Sequence, residues 1–332
     1  MYEAFETEDV LMKELQTQYN KPWIKHRADP YVYLHTDGYY YFTASVPSYD
    51  KIIIRKAKSL DELPLANEIT VWHKREKGIM SYHIWAPELH YLDDKWYIYF
   101  AAGDKDDVWA IRPYVLECND SDPLTGRWIE KGLMERADDD HFSFEAFSLD
   151  ATVFQSKGKN YFVWAEKVGV GKMISNLYIA EMESPTKLKT TQVLLTTPDY
   201  EWERRGFWVN EGPAVLKRKG KIYLFYSASD TGANYCMGML SISEEHDILD
   251  PNNWEKERKP VLKSDREKGI YGPGHCSFTK SKDGKDIMVY HARPYEKIDG
   301  DPLYDPNRHA RLMDIIWTEE DYPRLEFTLV NE

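Results

Sequence analysis

The sequence predicts an all-β fold, a five-bladed β-propeller, and three observations favour it. Five segments repeat one pattern, in which a turn pair precedes an aromatic-rich strand that ends in a small residue. The repeats are separated by 57, 64, 63 and 64 residues, measured between equivalent alanines. Helical periodicity is weak outside residues 5–18. A repeat of about 60 residues that holds four short strands is typical of one propeller blade.

The repeats can be read directly from the sequence. They are DGYYYFTAS (37–45), DKWYIYFAA (94–102), GKNYFVWAE (158–166), GKIYLFYSAS (220–229) and GKDIMVYHAR (284–293), with marker alanines Ala44, Ala101, Ala165, Ala228 and Ala292. Each follows another short strand across a polar turn, as in a β-hairpin. We expect the segment 311–318 to join the last blade to the first. A β-sandwich with coincidental hairpins is the structural alternative.

Composition limits the classes of partner. Residues 1–332 contain no Gly/Ser-rich linker, which indicates one domain preceded by an extension over 1–20 that holds a short helix. The net charge of −13 opposes binding to nucleic acid or to an anionic membrane surface. The first residues lack the apolar stretch of a signal peptide, so we expect a cytoplasmic location. Composition leaves the choice between monomer and homo-oligomer open.

Ionisable groups recur at equivalent positions at the start of four repeats. Asp29 and Asp150 lie 15 residues before their marker alanines, and Glu211 and His275 lie 17 residues before theirs. A difference of two residues preserves the direction in which a strand side chain points. Because the innermost strand of each blade lines the central channel, we expect these four side chains to converge at one end of the axis. The alternative is that the acids only cap turns.

Carboxyl groups that lie close together cannot all ionise easily, so their pKa values separate. A pair with separated pKa values is what glycosidic bond cleavage requires. One carboxyl group donates a proton to the leaving oxygen, while the other activates water or attacks the sugar. A third can orient the acid and keep it protonated. The pattern therefore indicates a glycoside hydrolase.

Five motifs, in order and at comparable spacing, resemble glycoside hydrolase family 43. They are RADP, WAPELHY, the Asp of SLDAT, NEGPAVLKRKGKIYLFYSAS and GPGHCSF. The resemblance implies that Asp29 is the general base, Asp150 the residue that orients the acid and tunes its pKa, and Glu211 the general acid. It also implies inversion of the anomeric centre, with the carboxyl groups of base and acid about 6.5–9.5 Å apart.

Further roles rest on the same resemblance. His275 resembles a residue that reaches an axial ion, commonly calcium, although a hydrogen-bonded core histidine is the alternative. Arg293 resembles a sugar-contacting arginine; the alternative is an ion pair near the channel. We also expect Trp85 to form a stacking wall for the terminal sugar, with blade packing as the alternative.

Segments such as ERRGFWVNEGPAV and YHARPY look most like α-L-arabinofuranosidases, which release terminal arabinofuranose from arabinan or arabino-oligosaccharides. Two other functions stay open at this stage. One is a β-D-xylosidase acting on xylo-oligosaccharides, because the two pentoses present similar hydroxyl groups. The other is a carbohydrate-binding propeller without catalysis.

Overall fold

Five antiparallel sheets make up a computed structural model of the protein, which describes residues 21–327. The short helix expected within residues 1–20 lies outside the described residues. Within residues 21–327 the secondary structure is strands and three 3₁₀ turns, without an α-helix. The prediction of one domain over 1–332 extends beyond these residues and stays a prediction.

Each sheet is one blade, and its strands follow one another in chain order, except that the fifth strand of the third blade pairs with the third strand of that blade. The first blade holds β1 (Ala28–Leu34), β2 (Tyr40–Ser45), β3 (Lys51–Ala57) and β4 (Ile69–His73). The second holds β5 (Tyr82–Leu92), β6 (Lys95–Gly103), β7 (Arg112–Cys118) and β8 (Trp128–Leu133). The third holds β9 (Ser148–Ser156), β10 (Lys159–Val170), β11 (Lys172–Ser184), β12 (Lys187–Leu188) and β13 (Val193–Thr196).

The remaining strands form two blades of four. The fourth blade holds β14 (Asn210–Arg218), β15 (Lys221–Ala228), β16 (Cys236–Ser243) and β17 (Glu255–Lys256). The fifth holds β18 (Tyr271–Lys280), β19 (Asp286–Arg293), β20 (His309–Trp317) and β21 (Pro323–Leu325). The first strands of the blades, β1, β5, β9, β14 and β18, contact one another in turn and return to β1, so they surround the axis. The five-bladed propeller predicted from the repeats is confirmed.

The hydrophobic core is divided among the blade interfaces. Four of the five clusters of buried side chains each join two neighbouring blades; one, for example, combines Val32 and Phe42 of the first blade with Ile287 and Val289 of the fifth. The remaining cluster joins the third and fourth blades and also reaches residues of the first and second. Both faces of every sheet are therefore buried, and large rings fill the wedge between blades. This packing accounts for most of the aromatic share of 14%.

The ring closes through the N-terminal segment. Ile24 forms an antiparallel bridge with Ala310, at the start of β20. The expectation for residues 311–318 was wrong in part, because they form most of β20, the third strand of the fifth blade. The segment before β1 completes the closure by pairing with β20.

Candidate active site

A cavity of about 500 Å³ opens where the first halves of the innermost strands meet. Every blade contributes to it from its innermost strand; the residues are Asp29, Trp85, Leu149, Asp150, Glu211 and His275. Its volume lies within the range of about 300–1,000 Å³ that is usual for small-ligand sites. The four ionisable groups predicted to converge therefore line one cavity.

The reason for the convergence differs from simple alternation along a strand. Each innermost strand has a positive-φ residue beside the cavity, and the pairing with the next strand breaks there; these residues are Asp29, Ala86, Asp150, Gly212 and His275. β5 and β18 each have a second such break, at His83 and Gly272. Such a β-bulge re-aims side chains. Glu211 sits one residue before this position, as Trp85 and Leu149 do, and it still faces the cavity.

The bulge makes two consecutive residues available to the cavity, as Leu149 and Asp150 illustrate. A left-handed conformation costs an ordinary L-residue about 1–2 kcal/mol, and Asp tolerates it better than most. Asp29 has φ 52° and Asp150 has φ 54°. Backbone strain at a cavity is typical of functional sites.

Asp29 is a buried carboxylate held among cations. The Ser45 hydroxyl donates to its Oδ2 at 2.6 Å, and its backbone N–H donates to Nδ1 of His291 at 3.0 Å. His275 Nδ1 and Arg308 Nη1 lie 3.4 and 3.5 Å from its Oδ1. Burial opposes ionisation, but His275 and Arg308 outweigh it and hold the pKa of Asp29 well below its usual range. Asp29 is therefore ionised at neutral pH.

His291 is a neutral support for this carboxylate. Burial and the nearby Arg308 lower the pKa of His291 to about 3, even though Asp29 acts in the opposite direction. Its Nδ1 accepts the backbone N–H of Asp29, so this nitrogen carries no proton toward the carboxylate oxygens. The positive charge beside Asp29 comes from His275 and Arg308.

Glu211 has the opposite electrostatic setting. Burial and the negative charge of Asp29 raise the pKa of Glu211, although a hydrogen bond from Tyr235 and the charge of His275 oppose the rise. The Tyr235 hydroxyl donates to Glu211 Oε1 at 2.8 Å. The site thus combines one carboxyl group whose pKa is lowered with another whose pKa is raised, in separate blades.

Asp150 adjoins the acid through the backbone. The N–H of Gly212, the residue after Glu211, donates to Asp150 Oδ2 at 3.1 Å. Burial, with the charges of Glu211 and Asp29, raises the pKa of Asp150. Asp150 and Glu211 thus repel each other, and the contact with Gly212 also links Asp150 to the backbone beside the acid.

His275 connects two of the carboxyl groups. Its Nδ1 lies 3.4 Å from Asp29 and 3.6 Å from Asp150. Burial disfavours its charged form, but the charges of Asp29, Asp150 and Glu211 outweigh this and raise the pKa of His275. The metal-ligand role of His275 stays a prediction, beside the alternative of a core histidine satisfied by hydrogen bonds.

The donor set around His275 does not fit a calcium cage built by the protein. Calcium prefers six to eight oxygen ligands. Within residues 21–327, no group of three or more His, Cys, Asp or Glu side chains is arranged to hold a metal ion. The calcium ion stays a prediction, and we assign no chemical step to it.

Trp85 forms one wall of the cavity. Its ring stacks on His83 with centroids 4.3 Å apart and meets Tyr49 edge-on at 5.8 Å. Its indole N–H is buried without a hydrogen-bond partner. Trp85 therefore packs within the protein and also faces the cavity, where sugar contact stays a prediction.

Arg293 lies elsewhere than expected. It is 1% exposed and does not line the cavity. Its three nitrogens donate to Asp305 Oδ1 at 3.3 Å, Thr231 O at 2.5 Å and Pro302 O at 2.7 Å. The predicted sugar contact is therefore corrected to the alternative, an ion pair near the channel, because Arg293 ties together two loops that border the cavity.

Sequence reasoning missed Arg308, Tyr235 and His291. Arg308 is the arginine that does line the cavity, and it lies in NRHAR, close to the segment that had drawn attention to Arg293. His291 stands two residues before Arg293 in YHAR. Tyr235 lies in a loop between two strands, where no repeat position marks it.

The fold and the cavity define a five-bladed propeller with three carboxyl groups from three blades in one pocket. This chain belongs to glycosyl hydrolase family 43: the family model "Glycosyl hydrolases family 43" matches residues 19–323. The resemblance read from the motifs is thus confirmed.

Named relatives agree with the family. The chain is 49% identical over 306 residues to an "Extracellular exo-alpha-(1->5)-L-arabinofuranosidase" of Streptomyces avermitilis, covering 92% of this chain and 62% of that protein. An enzyme of the same name from Streptomyces chartreusis is 46% identical, with 86% and 85% covered. The crystal structure of an alpha-L-arabinofuranosidase from Lactobacillus brevis matches with a TM-score of 0.87 and 50% identity, covering 92% and 95%. The chain thus spans about three fifths of the Streptomyces avermitilis protein's length.

These relatives correct one expectation. Both Streptomyces enzymes are named as extracellular, which contradicts the cytoplasmic location predicted for this chain. That prediction depended on the composition of the first residues alone. Separately, none of the helices within residues 21–327 has the length and apolar character needed to cross a bilayer.

Proposed function

We propose that this protein is an inverting, exo-acting α-L-arabinofuranosidase that releases terminal arabinofuranose from arabino-oligosaccharides or arabinan. The observation that carries the proposal is the electrostatic contrast within one cavity. Asp29 is held ionised, with a pKa well below the usual range, while the pKa of Glu211 is raised. Such a contrast separates a base from an acid. The pKa of Asp150 is also raised, to about 8, and the family resemblance assigns the acid role to Glu211 and the orienting role to Asp150.

In the proposed mechanism Asp29 deprotonates a water molecule on one face of the furanose. Glu211 protonates the leaving oxygen on the other face in the same displacement, so no covalent intermediate forms. Asp150 keeps Glu211 in place through the Gly212 N–H. Arg308 and His275 hold Asp29 ionised in the free enzyme.

Exo action is supported by a loop at the border of the cavity. Asp301, Leu303 and Arg308 line it, and all three follow β19. The Tyr49 hydroxyl donates to Leu303 O at 2.5 Å, which anchors this loop to the first blade. A loop anchored across one side of the cavity leaves room for a chain end better than for a continuous polymer. Product analysis on linear arabinan tests this: arabinose alone supports exo action, whereas early oligosaccharide products contradict it.

The mouth of the cavity supports a sugar as the leaving group. Trp109 and Phe207 line it and are 54% and 65% exposed. Exposed rings are suited to stack on the C–H faces of a sugar. The names of the relatives favour arabinofuranose. A β-D-xylosidase is the second candidate within the enzyme class, and parallel kcat/KM values on aryl arabinofuranoside and aryl xyloside separate them: a preference for xyloside above about tenfold overturns the choice.

Substitution of the two carboxyl groups tests catalysis itself. We expect Asp29→Asn and Glu211→Gln each to lower kcat on arabino-oligosaccharides by about 10²–10⁴-fold, the range of general acid–base contributions. Glu117→Gln is a matched control, because Glu117 is a buried acid of the second blade that does not line the cavity. Unchanged hydrolysis in both site variants would overturn the catalytic assignment. A parent protein that binds the sugar without hydrolysing it would instead be a binding propeller.

We propose His275 as the protein ligand of a calcium ion. Titrating calcium chloride while recording the melting temperature tests it, with His275→Gln as the comparison. A rise in melting temperature that the variant loses supports the site. An unchanged melting temperature of the parent protein contradicts it.

A further inference from the structure

Tyr235 is a buried phenol in direct contact with the acid. It is 2% exposed, lines the cavity and lies immediately before β16. Its hydroxyl donates to Glu211 Oε1 at 2.8 Å. Among residues 21–327, no other side chain or backbone group hydrogen-bonds to the Glu211 carboxyl group. The hydrogen bond from Tyr235 therefore sets the orientation of the Glu211 carboxyl group.

The direction of this hydrogen bond is set by the phenol's own surroundings. Burial and the negative charges of Glu211 and Asp150 raise the pKa of Tyr235 well above its usual value, so it keeps its proton. The protonated phenol therefore donates its O–H to the Glu211 carboxyl group.

The ring of Tyr235 is closely packed by its neighbours. On one side it stacks on His291, with centroids 5.7 Å apart and planes within 4° of parallel. His291 in turn accepts the backbone N–H of Asp29. A Cβ atom on Gly274 would lie only 2.3 Å from Tyr235 Cε1. The second glycine of the GPGH motif is therefore needed to make room for this ring.

We infer that Tyr235 is a positioning residue for the acid, on the basis of the proposed role of Glu211: its hydroxyl occupies Oε1 and so leaves the transferable proton on Oε2. A carboxyl group with one oxygen engaged as an acceptor presents its O–H from the other. The same ring stacks on His291, which accepts the backbone N–H of Asp29. Tyr235 therefore holds the acid at a fixed position relative to the base. Tyr235 need not touch the sugar to do this.

Tyr235→Phe tests the inference, because it removes only the hydroxyl and keeps the ring that stacks on His291. Proton donation matters most when the leaving group is a poor one. We expect kcat on arabinobiose and on alkyl arabinofuranosides to fall by about 10- to 100-fold, the effect of losing one hydrogen bond to a charged group. Hydrolysis of a dinitrophenyl arabinofuranoside, whose leaving group needs little protonation, should change by less than about threefold.

The pH profile gives a second readout. The Tyr235 hydrogen bond favours the ionised carboxylate and lowers the pKa of Glu211. Its loss raises that pKa, and since the acid works in its protonated form, the alkaline limb of kcat/KM should move to higher pH. A merely structural role would lower all rates together without moving this limb.

Tyr97→Phe is the matched control. Tyr97 is a buried tyrosine, 3% exposed, whose hydroxyl donates to Glu117 Oε2 at 2.9 Å, away from the cavity. We expect it to retain the parent ratio of rates on the two leaving groups. That ratio is measured within one protein sample and does not depend on the folded fraction.

Three outcomes decide the matter. A selective loss on poor leaving groups, with a shifted alkaline limb, supports the positioning role. An equal loss on all substrates, or no loss, overturns it. Glu211→Gln is run in parallel: if it shows no selective loss either, the acid assignment itself fails, and this result is distinct from a failure of Tyr235 alone.

Discussion

Arg308 should set the pH at which the proposed base becomes active. Its guanidinium lies 3.5 Å from Asp29 Oδ1, and Arg308 is 7% exposed. Two unit charges at this separation attract by about 4–5 kcal/mol at an effective dielectric constant of about 20. The net effect on a carboxyl pKa is smaller, about 1–3 units for a neighbouring cation. Because His275 remains as a second cation, we expect a shift of about 1–2 units in Arg308→Met.

The direction in which the acidic limb moves follows from the ionisation state in which Asp29 acts. The base acts when it is ionised, so activity rises as the pH increases through its pKa. Removing Arg308 raises that pKa, because burial of Asp29 is no longer fully opposed. The acidic limb of kcat/KM should therefore move to higher pH. The alkaline limb, which reports on Glu211, should move much less.

The assay is the pH dependence of kcat/KM at constant ionic strength, on one arabinofuranoside. Arg308→Lys is the control, since it retains a positive charge and should keep most of the acidic limb in place. The pH of the acidic limb is compared rather than the size of kcat/KM. Arg308 also lines the cavity, so its substitution can change the rate by another route. If Arg308→Met is active and its acidic limb stays in place, Arg308 does not set the pKa of the base. Either the role of Asp29 as the base or the role of Arg308 beside it would then be wrong.

The other predictions concern supporting contacts. Lys167→Met should move the alkaline limb to higher pH by less than about one unit, because the positive charge of Lys167 lowers the pKa of Glu211; a shift to lower pH contradicts this. Arg293→Met should lower the free energy of unfolding by about 1–3 kcal/mol in urea denaturation, since it removes the hydrogen bonds of the buried guanidinium to Asp305, Thr231 O and Pro302 O; a rise in KM without loss of stability would restore its predicted sugar contact. Ser45→Ala should reduce kcat about tenfold, because its hydroxyl donates to Asp29 and also accepts a backbone N–H; an unchanged kcat counts against this.

Much of the fold was predictable because a propeller repeats its own pattern. Hairpin turns and marker alanines recur in every blade, and each blade needs neighbours to bury its two faces. The carboxyl groups were predictable for the same reason, since Asp29, Asp150 and Glu211 open their repeats. Strict alternation of side chains along the innermost strands predicted that these groups face the cavity. They do face it, but β-bulges interrupt the alternation at that point.

Residues outside the repeat pattern were not predictable in this way. Tyr235 and Arg308 reach the cavity from loops, and their distances to Glu211 and Asp29 arise from long-range contacts that no local spacing encodes. Arg293 shows the converse error. It follows the fifth marker alanine directly, yet its guanidinium turns to the loops beside it rather than to the cavity.

The most direct test of the central claim is the configuration of the first product. In a proton NMR time course on fresh α-L-arabinofuranoside, the account predicts that β-L-arabinofuranose appears first and then mutarotates, because Asp29 activates water while Glu211 protonates the leaving oxygen in a single displacement. Initial appearance of the α anomer would contradict it, since retention requires a carboxylate that attacks the sugar itself.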